Sequence, residues 1–253
     1  EQLSIPQSFR GKQIFKWIYS HVKDFSDMTN LSKELRDSLS EKAIIRSSSV
    51  NQVLKDPDGT IKLQIKLQDG LFIETVLLTD KNNRKTACVS CQAGCAMKCA
   101  FCQTGTLGLA RNLTAGEIIE QFMYLEEEAG TLDNIVFMGM GEPLMNLESI
   151  RKAIAILSSD EGRNLSTRRI TLSTCGIIEK IYDLADNGPA IRLAVSLTTA
   201  DPELRERIMP VQKGNPLPEL RKAIAYYANK TGRRVTLEAA LLHGQNTSPE
   251  SAK

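Results

Sequence analysis

The 253 residues predict an α/β fold: an open, partial β/α barrel behind a small N-terminal module of helices and a β-hairpin. Three observations predict it. From Lys85 onward, short apolar stretches alternate with amphipathic helical ones, the pattern of parallel strands joined by crossover helices. Five such units are present, too few to close an eight-stranded barrel. Before Lys85 the rhythm differs, with two short helices and then a strand pair that doubles back at an Asp-Gly turn.

Residues 11–22 place Ile14, Phe15, Ile18 and Val22 at helical spacing, and residues 31–43 repeat the pattern with Leu31, Leu35, Leu39 and Ala43. Ile61, Leu63, Ile65 and Leu67 then alternate with Lys62, Gln64, Lys66 and Gln68, which is a half-buried strand. Asp69-Gly70 supplies the turn, and residues 71–78 return. Residues 1–84 are thus expected to be an accessory domain and residues 85–253 the core. Core strands are expected at 86–90, 134–140, 169–173, 191–198 and 234–241, with helices near 114–128, 147–158, 177–186 and 218–229. Thr114 is a good N-cap, and Glu117 three residues later completes a capping box. In such folds the chemistry sits at the C-terminal ends of the strands. The cysteine-rich loop and residues 139–143, 173–176 and 196–199 all follow strand ends, so they are expected to converge on one face.

Composition bounds the function less sharply. Apolar and charged contents of 42% and 25% are those of an ordinary globular protein. The apolar run at 191–197 contains Arg192 and is far shorter than a membrane span. No secretory leader is visible at Glu1, so a cytoplasmic protein is expected. The net charge of +2 says little about nucleic acid, and the excess of 14 Lys+Arg over 11 Asp+Glu in residues 1–85 fits a solvated surface as well as an RNA footprint. A basic and aromatic face of Phe9, Arg10, Lys12, Lys16, Trp17 and Lys23 is the candidate RNA contact. The chain starts without an initiator Met and stops at Lys253 inside a new segment, and it reads as a piece of a longer protein.

The cysteines carry more. Five of the six fall between Cys88 and Cys102, and such a cluster in a long chain points to metal or redox chemistry. Cys95, Cys99 and Cys102 stand in a CxxxCxxC loop, and soft thiolate ligands select zinc or iron–sulfur clusters. A structural zinc wants a fourth ligand, which Cys91 could supply. In the segment Gly139-Met140-Gly141-Glu142-Pro143 the glycines leave room for a ligand near the backbone, and Glu142 can accept hydrogen bonds from an ammonium group. Taken alone it is a strand-ending turn, just as Ser173 and Ser196-Leu197-Thr198 are ordinary polar strand ends. Glu74 lies on a strand with apolar residues on both faces, a setting that tends to raise a carboxylate's pKa and suit it to a base's role, whereas a solvent-facing strand residue is the commoner alternative.

CxxxCxxC after the first strand of a βα array resembles the radical S-adenosylmethionine (SAM) superfamily. The segments CVSCQAGCAMKCAFCQTGTLGLARNLTAGEII, FMGMGEPLMN, RRITLSTCGII and LRERIMPV, with FRGKQIFKWIY and IETVLL before them, together resemble the RlmN-type adenine methyltransferases along essentially the whole chain. That resemblance implies methylation of carbon 2 of an adenosine in 23S rRNA and in tRNA beside the anticodon. It implies a 4Fe-4S cluster on Cys95, Cys99 and Cys102, with S-adenosyl-L-methionine against Gly141, Glu142, Ser173, Ser196, Leu197 and Thr198. Glu74 matches the carboxylate that takes the ring proton, and Cys88 matches the cysteine that resolves the enzyme–RNA link by forming a disulfide. An electron donor such as flavodoxin or ferredoxin is implied, and a monomer is expected. Thr198 stands where the family has His, and no cysteine follows Cys175 to match the family's methyl-carrying residue, so these 253 residues alone are expected not to methylate RNA. Pro143 after the glutamate favours carbon 2 over the carbon-8 methylation of resistance-type relatives. A zinc-stabilised RNA-binding module without catalysis is the reading from another class.

Overall fold

The computed structural model describes residue 5 and residues 8–251; the outermost residues of both expected domains lie outside that range. Helix α1 (Ser8–Tyr19) and helix α2 (Lys33–Lys42) come first. The first ends earlier than its apolar spacing predicts, because His21 adopts a left-handed backbone with φ of 60°, which a helix cannot continue. Both helices pack on a small core of their own made by Ile14, Phe25, Met28, Leu31 and Leu39.

Strands β1 (Ser49–Lys55), β2 (Ile61–Lys66) and β3 (Phe72–Thr79) follow as antiparallel neighbours. The turn between β2 and β3 forms as expected. Gly70 takes a φ of 86°, and the Asp69 carboxylate accepts the Leu71 N–H at 3.1 Å. Strand β4 (Lys85–Cys88) pairs antiparallel with β3. Next come β5 (Gln92–Gly94), the short helix α3 (Gln103–Thr106) and β6 (Leu109–Asn112), with β5 and β6 forming a separate two-stranded ribbon. The regular alternation then sets in: α4 (Ala115–Ala129), β7 (Asn134–Phe137), α5 (Leu147–Leu157), β8 (Ile170–Thr174), α6 (Ile178–Asn187), β9 (Arg192–Ser196), α7 (Pro202–Ile208), α8 (Leu217–Thr231) and β10 (Val235–Glu238). The capping box at Thr114 is present, with Glu117 N–H on Thr114 Oγ1 at 3.2 Å and Thr114 N–H on the Glu117 carboxylate at 2.8 Å.

The main sheet runs in the order β1-β2-β3-β4-β7-β8-β9-β10, parallel from β4 to β10. One face of it is covered. Leu63, Ile65, Ile73, Ala87, Ile135, Leu172 and Leu193 pack with Ile118, Phe122, Ile150, Ile154, Ile181, Leu184 and Tyr227 from the helices in a single large core. Side chains alternate across a strand, so the residues between these face the other way. Glu74, Val76, Cys88, Val136, Thr171 and Ser173 are partly accessible there. The hairpin β2–β3 adds directly to the edge of the parallel sheet and shares its core. Among the described residues, no helix is long and apolar enough to cross a membrane.

Candidate active site

The cysteine loop is carried by the β5–β6 ribbon, which stands above the C-terminal end of β4. Two backbone features shape it. Gly94 has a φ of +81°, and a Cβ there would fall 1.9 Å from the Gly108 carbonyl oxygen, so the ribbon closes at the base of the loop only with glycine. Cys95 N–H donates to that same Gly108 carbonyl at 2.8 Å. Across the loop, Ala100 N–H donates to the Ile208 carbonyl at 2.8 Å, which ties it to the end of α7.

Cys95 is buried, and Cys99 and Cys102 are partly so. All six cysteines are free thiols. Burial raises the Cys95 thiol, with the charges of Glu142 and Cys102 adding to it. Burial pushes Cys99 up to about 11, helped by charge on Cys102, Cys95 and Glu142 and opposed by Arg205. These thiols therefore feel one another, and as bare thiolates they would repel. Among the described residues, no three His, Cys, Asp or Glu side chains are gathered into a single-ion site. Three soft donors in one loop, whose ionised forms need a cation between them, fit an iron–sulfur cluster by the chemistry of the donor set.

The segment after β7 lies against this loop. Glu142 is 3% exposed. Its carboxylate accepts the Leu144 N–H at 3.1 Å and the Cys175 N–H at 2.8 Å, and its own N–H donates to Gln92 Oε1 at 2.8 Å. Burial raises its carboxyl above the ordinary value, against the lowering effect of those hydrogen bonds. A carboxylate offers about four lone-pair directions, so acceptor capacity remains. Gly141 has a φ of +105°, and a Cβ would meet Gln92 Cβ at 2.6 Å and Cys91 Sγ at 2.9 Å. What the glycine admits here is the chain's own β5 segment, and Cys91, 2% exposed, serves as packing beneath it.

At the next strand end, Ser173 Oγ donates to the Glu238 carboxylate at 2.9 Å, and Glu238 pairs in register with Ser196. The backbone N–H groups of Leu197 and Thr198 both donate to the Glu238 carbonyl, at 2.9 and 3.0 Å. Thr198 is buried, with a φ of 61°, an unfavourable backbone for a β-branched residue. Ser173, Ser196, Leu197 and Thr198 thus meet around one residue, Glu238, which sequence reasoning did not single out. Cys88 sits on the open sheet face, opposite Val76, and burial pushes its thiol up to about 11. Glu74 lies on that face two residues from Val76, half-exposed and 3.1 Å from Lys62 Nζ.

Profile and structural comparisons add to this geometry. Residues 89–251 match the Radical SAM superfamily, and residues 6–45 match the ribosomal RNA large subunit methyltransferase N-terminal domain. The probable dual-specificity RNA methyltransferase RlmN of Treponema denticola is 59% identical over 249 residues, covering 98% of this chain and 72% of that protein. The chain belongs to the RlmN family of radical SAM methyltransferases. The dual-specificity RNA methyltransferase RlmN of Pelobacter propionicus is 45% identical over 98% of this chain and 71% of its own length. A crystal structure of a radical SAM methyltransferase from Sphaerobacter thermophilus superposes with a TM-score of 0.91 at 42% identity, over 96% of this chain and 73% of that one. The chain thus spans about seven-tenths of the length of these relatives.

In and around α1, the chain's own contacts already use several basic and aromatic groups. Lys12 and Lys16 both pair with Glu161, at 3.0 and 3.2 Å. Arg10 donates to the Asn30 carbonyl, and Trp17 Nε1 donates to Asn30 Oδ1. Sequence reasoning also passed over Gln92, Gln121 and Arg205, all buried. Gln121 of α4 holds Ser90 through both its N–H, at 2.8 Å, and its carbonyl, at 3.0 Å. The one signal for such residues is a polar side chain at apolar spacing, as Arg205 stands with Ile208 and Met209.

Proposed function

We propose that this chain provides the catalytic core for methylating carbon 2 of an adenosine in 23S rRNA and in tRNA beside the anticodon, a reading in keeping with the names of its relatives, which are called dual-specificity RNA methyltransferases. The observation that carries the reading is the meeting of the Cys95–Cys99–Cys102 loop with Glu142 and the ends of β8 and β9 on one side of the sheet. Cys95, Cys99 and Cys102 would hold a four-iron, four-sulfur cluster. When bound, the cluster supplies the electron that cleaves SAM and so opens radical chemistry at a carbon too electron-poor for polar methyl transfer. Gly141 and Glu142 would receive the methionine end of SAM, with Ser173, Ser196, Leu197 and Thr198 around the rest. The Glu142 carboxylate, partly neutralised by two backbone N–H groups, orients the ammonium.

On the open face, Glu74 takes the ring proton. The Cys88 thiolate resolves the enzyme–RNA link by attacking the sulfur of the family's methyl-carrying cysteine, whose S–C bond to the RNA-linked carbon breaks as the disulfide forms; no residue after Cys175 matches that cysteine here. Residues 1–84 serve as an accessory RNA-contacting domain, and residues 85–253 carry the radical SAM site. The protein acts in the cytoplasm as a monomer and draws electrons from a flavodoxin or ferredoxin. Pro143 after Glu142 supports carbon 2 over carbon 8.

The test expresses the whole open reading frame encoding these residues in cells that lack adenosine carbon-2 methylation. Digested 23S rRNA and tRNA are then analysed by chromatography and mass spectrometry. The expected product is 2-methyladenosine, lost when Cys95, Cys99 and Cys102 are replaced by Ala. Finding 8-methyladenosine, or no methylated adenosine, overturns the proposal.

A further inference from the structure

Among the described residues, Arg205 is the largest side chain with no solvent exposure at all, at 0%. Burying a guanidinium is costly unless its charge is answered. Yet its hydrogen bonds go to neutral acceptors: the carbonyls of Cys175 at 2.7 Å, Ser196 at 3.2 Å and Leu197 at 3.2 Å, and Gln212 Oε1 at 3.1 Å. Those carbonyls belong to the ends of β8 and β9, beside the candidate SAM residues. Three further contacts direct the group toward the cysteine loop. The helix that carries it, α7, receives the Ala100 N–H through the Ile208 carbonyl at 2.8 Å. Cys99 packs in one apolar cluster with Cys175, Leu204, Ile208 and Met209. The backbone of Cys175 links Arg205 to Glu142, since its carbonyl accepts from the guanidinium and its N–H donates to the carboxylate.

A buried cation with only neutral partners beside three thiols is poorly placed in the metal-free protein. It is well placed beside a group that carries net negative charge. Three thiolates outweigh the positive core of an oxidised four-iron cluster, and accepting one electron adds a further negative charge.

We infer that Arg205 is the fixed positive charge of the cluster site, where it holds the ends of β8 and β9 to the cysteine loop and favours the cluster's one-electron reduced form. The inference rests on the cluster reading given above. It makes Arg205 a positioning residue that acts through the cluster. Its charge sets how readily an external low-potential donor passes the electron in, and its forked geometry sets where the loop sits. Lysine keeps the first property and loses most of the second, whereas methionine loses both.

The experiment compares wild type, Arg205→Lys and Arg205→Met after anaerobic reconstitution with iron and sulfide. Iron content, thermal melting, and the cluster's midpoint potential are measured, the last by titration with titanium(III) citrate read by electron paramagnetic resonance. Arg205→Met is expected to shift the midpoint to more negative potential, or to lose the cluster outright while still folded. Arg205→Lys is expected to keep the cluster near the wild-type midpoint, with a lower melting temperature. If Lys and Met variants behave alike in potential and iron retention, or if the Met variant titrates with wild type, Arg205 is purely architectural and the inference is overturned. A wild-type protein that assembles no four-iron cluster would instead sink the cluster reading itself.

Discussion

Replacing Gly141 by Ala tests whether the turn after β7 is as close to β5 as the geometry requires. The added Cβ would lie 2.6 Å from Gln92 Cβ, 2.7 Å from Gln92 Cγ and 2.9 Å from Cys91 Sγ. Carbon pairs prefer about 3.5–4.0 Å, so the contact is too short by about 1 Å and neither neighbour is a free chain end. Gln92 is 1% exposed and holds Asn112 at 2.7 Å through its amide nitrogen and Glu142 N–H at 2.8 Å through its oxygen. Overpacking of this kind costs about 1–3 kcal/mol, and the positive φ of 105° adds about 1–2 kcal/mol for a residue with a Cβ. The expected loss is about 2–5 kcal/mol, which at a urea slope of about 2.5 kcal/mol per molar lowers the unfolding midpoint by about 1–2 M. The assay is urea denaturation followed by circular dichroism, with Gly116→Ala as control. Gly116 sits in the first turn of α4, where a Cβ meets only Thr114 Oγ1 at 3.8 Å. Alanine there is expected to stabilise by about 0.5–1 kcal/mol. Equal midpoints for Gly141→Ala and wild type would refute the close approach of the Glu142 turn to β5.

Two further outcomes are expected. Thr198→Asn removes a β-branched side chain from a left-handed backbone and should stabilise by about 0.5–1 kcal/mol, raising the melting temperature by a few degrees; an unchanged or lower value counts against strain at this position. Cys88, held up to about 11 from an ordinary 9.0 by burial, should be protonated at neutral pH, with about a hundredfold less thiolate than a free cysteine. Its alkylation by iodoacetamide, followed by peptide mass spectrometry, should keep rising across pH 7–10; levelling off near pH 9 would contradict the burial.

How much of this was legible in the sequence depended on whether a residue's partner was near it in the chain. The parallel strands β4, β7, β8, β9 and β10 and the helices α4, α5, α6 and α8 were all readable, because each carries its own apolar period. Strand β1 was missed, since all seven of its residues are exposed and it exists through pairing with β2. The β5–β6 ribbon was missed too, because its three- and four-residue strands are separated by the whole cysteine loop. Helix α7 escaped because PELRERI reads as a charged surface segment. Its central arginine is buried against carbonyls 8, 9 and 30 positions away. The cysteine spacing and the Gly-Glu-Pro turn announced themselves, whereas Glu238 and Gln92 acquire meaning only through their cross-strand partners.

The β2–β3 hairpin shows the same dependence at the level of the site. Val76 stands opposite Cys88, Cys88 opposite Val136, and Val136 opposite Thr171, so the open face forms one continuous row across four strands. Because side chains alternate with a period of two, a slip of one residue between β3 and β4 would turn Cys88 into the helix-covered core and put Ala87 in its place. Two features prevent that slip. The Asp80–Arg84 turn joins β3 to β4, with the Asp80 N–H on the Arg84 carbonyl at 3.0 Å and the Arg84 N–H on the Asp80 carboxylate at 2.9 Å, and the buried Thr75 hydroxyl donates to the Cys88 carbonyl at 2.8 Å. Arg111 then ties the β2–β3 turn to the core by bonding Asp69 at 2.6 Å and Glu117 at 2.8 Å. The register that presents Glu74 and Cys88 to the open face is therefore set by the β3–β4 turn and Thr75, with the hairpin held in place by its anchor on α4. A truncation that removes the hairpin removes Glu74 and leaves Cys88 on an unpaired edge, even with every cluster ligand intact.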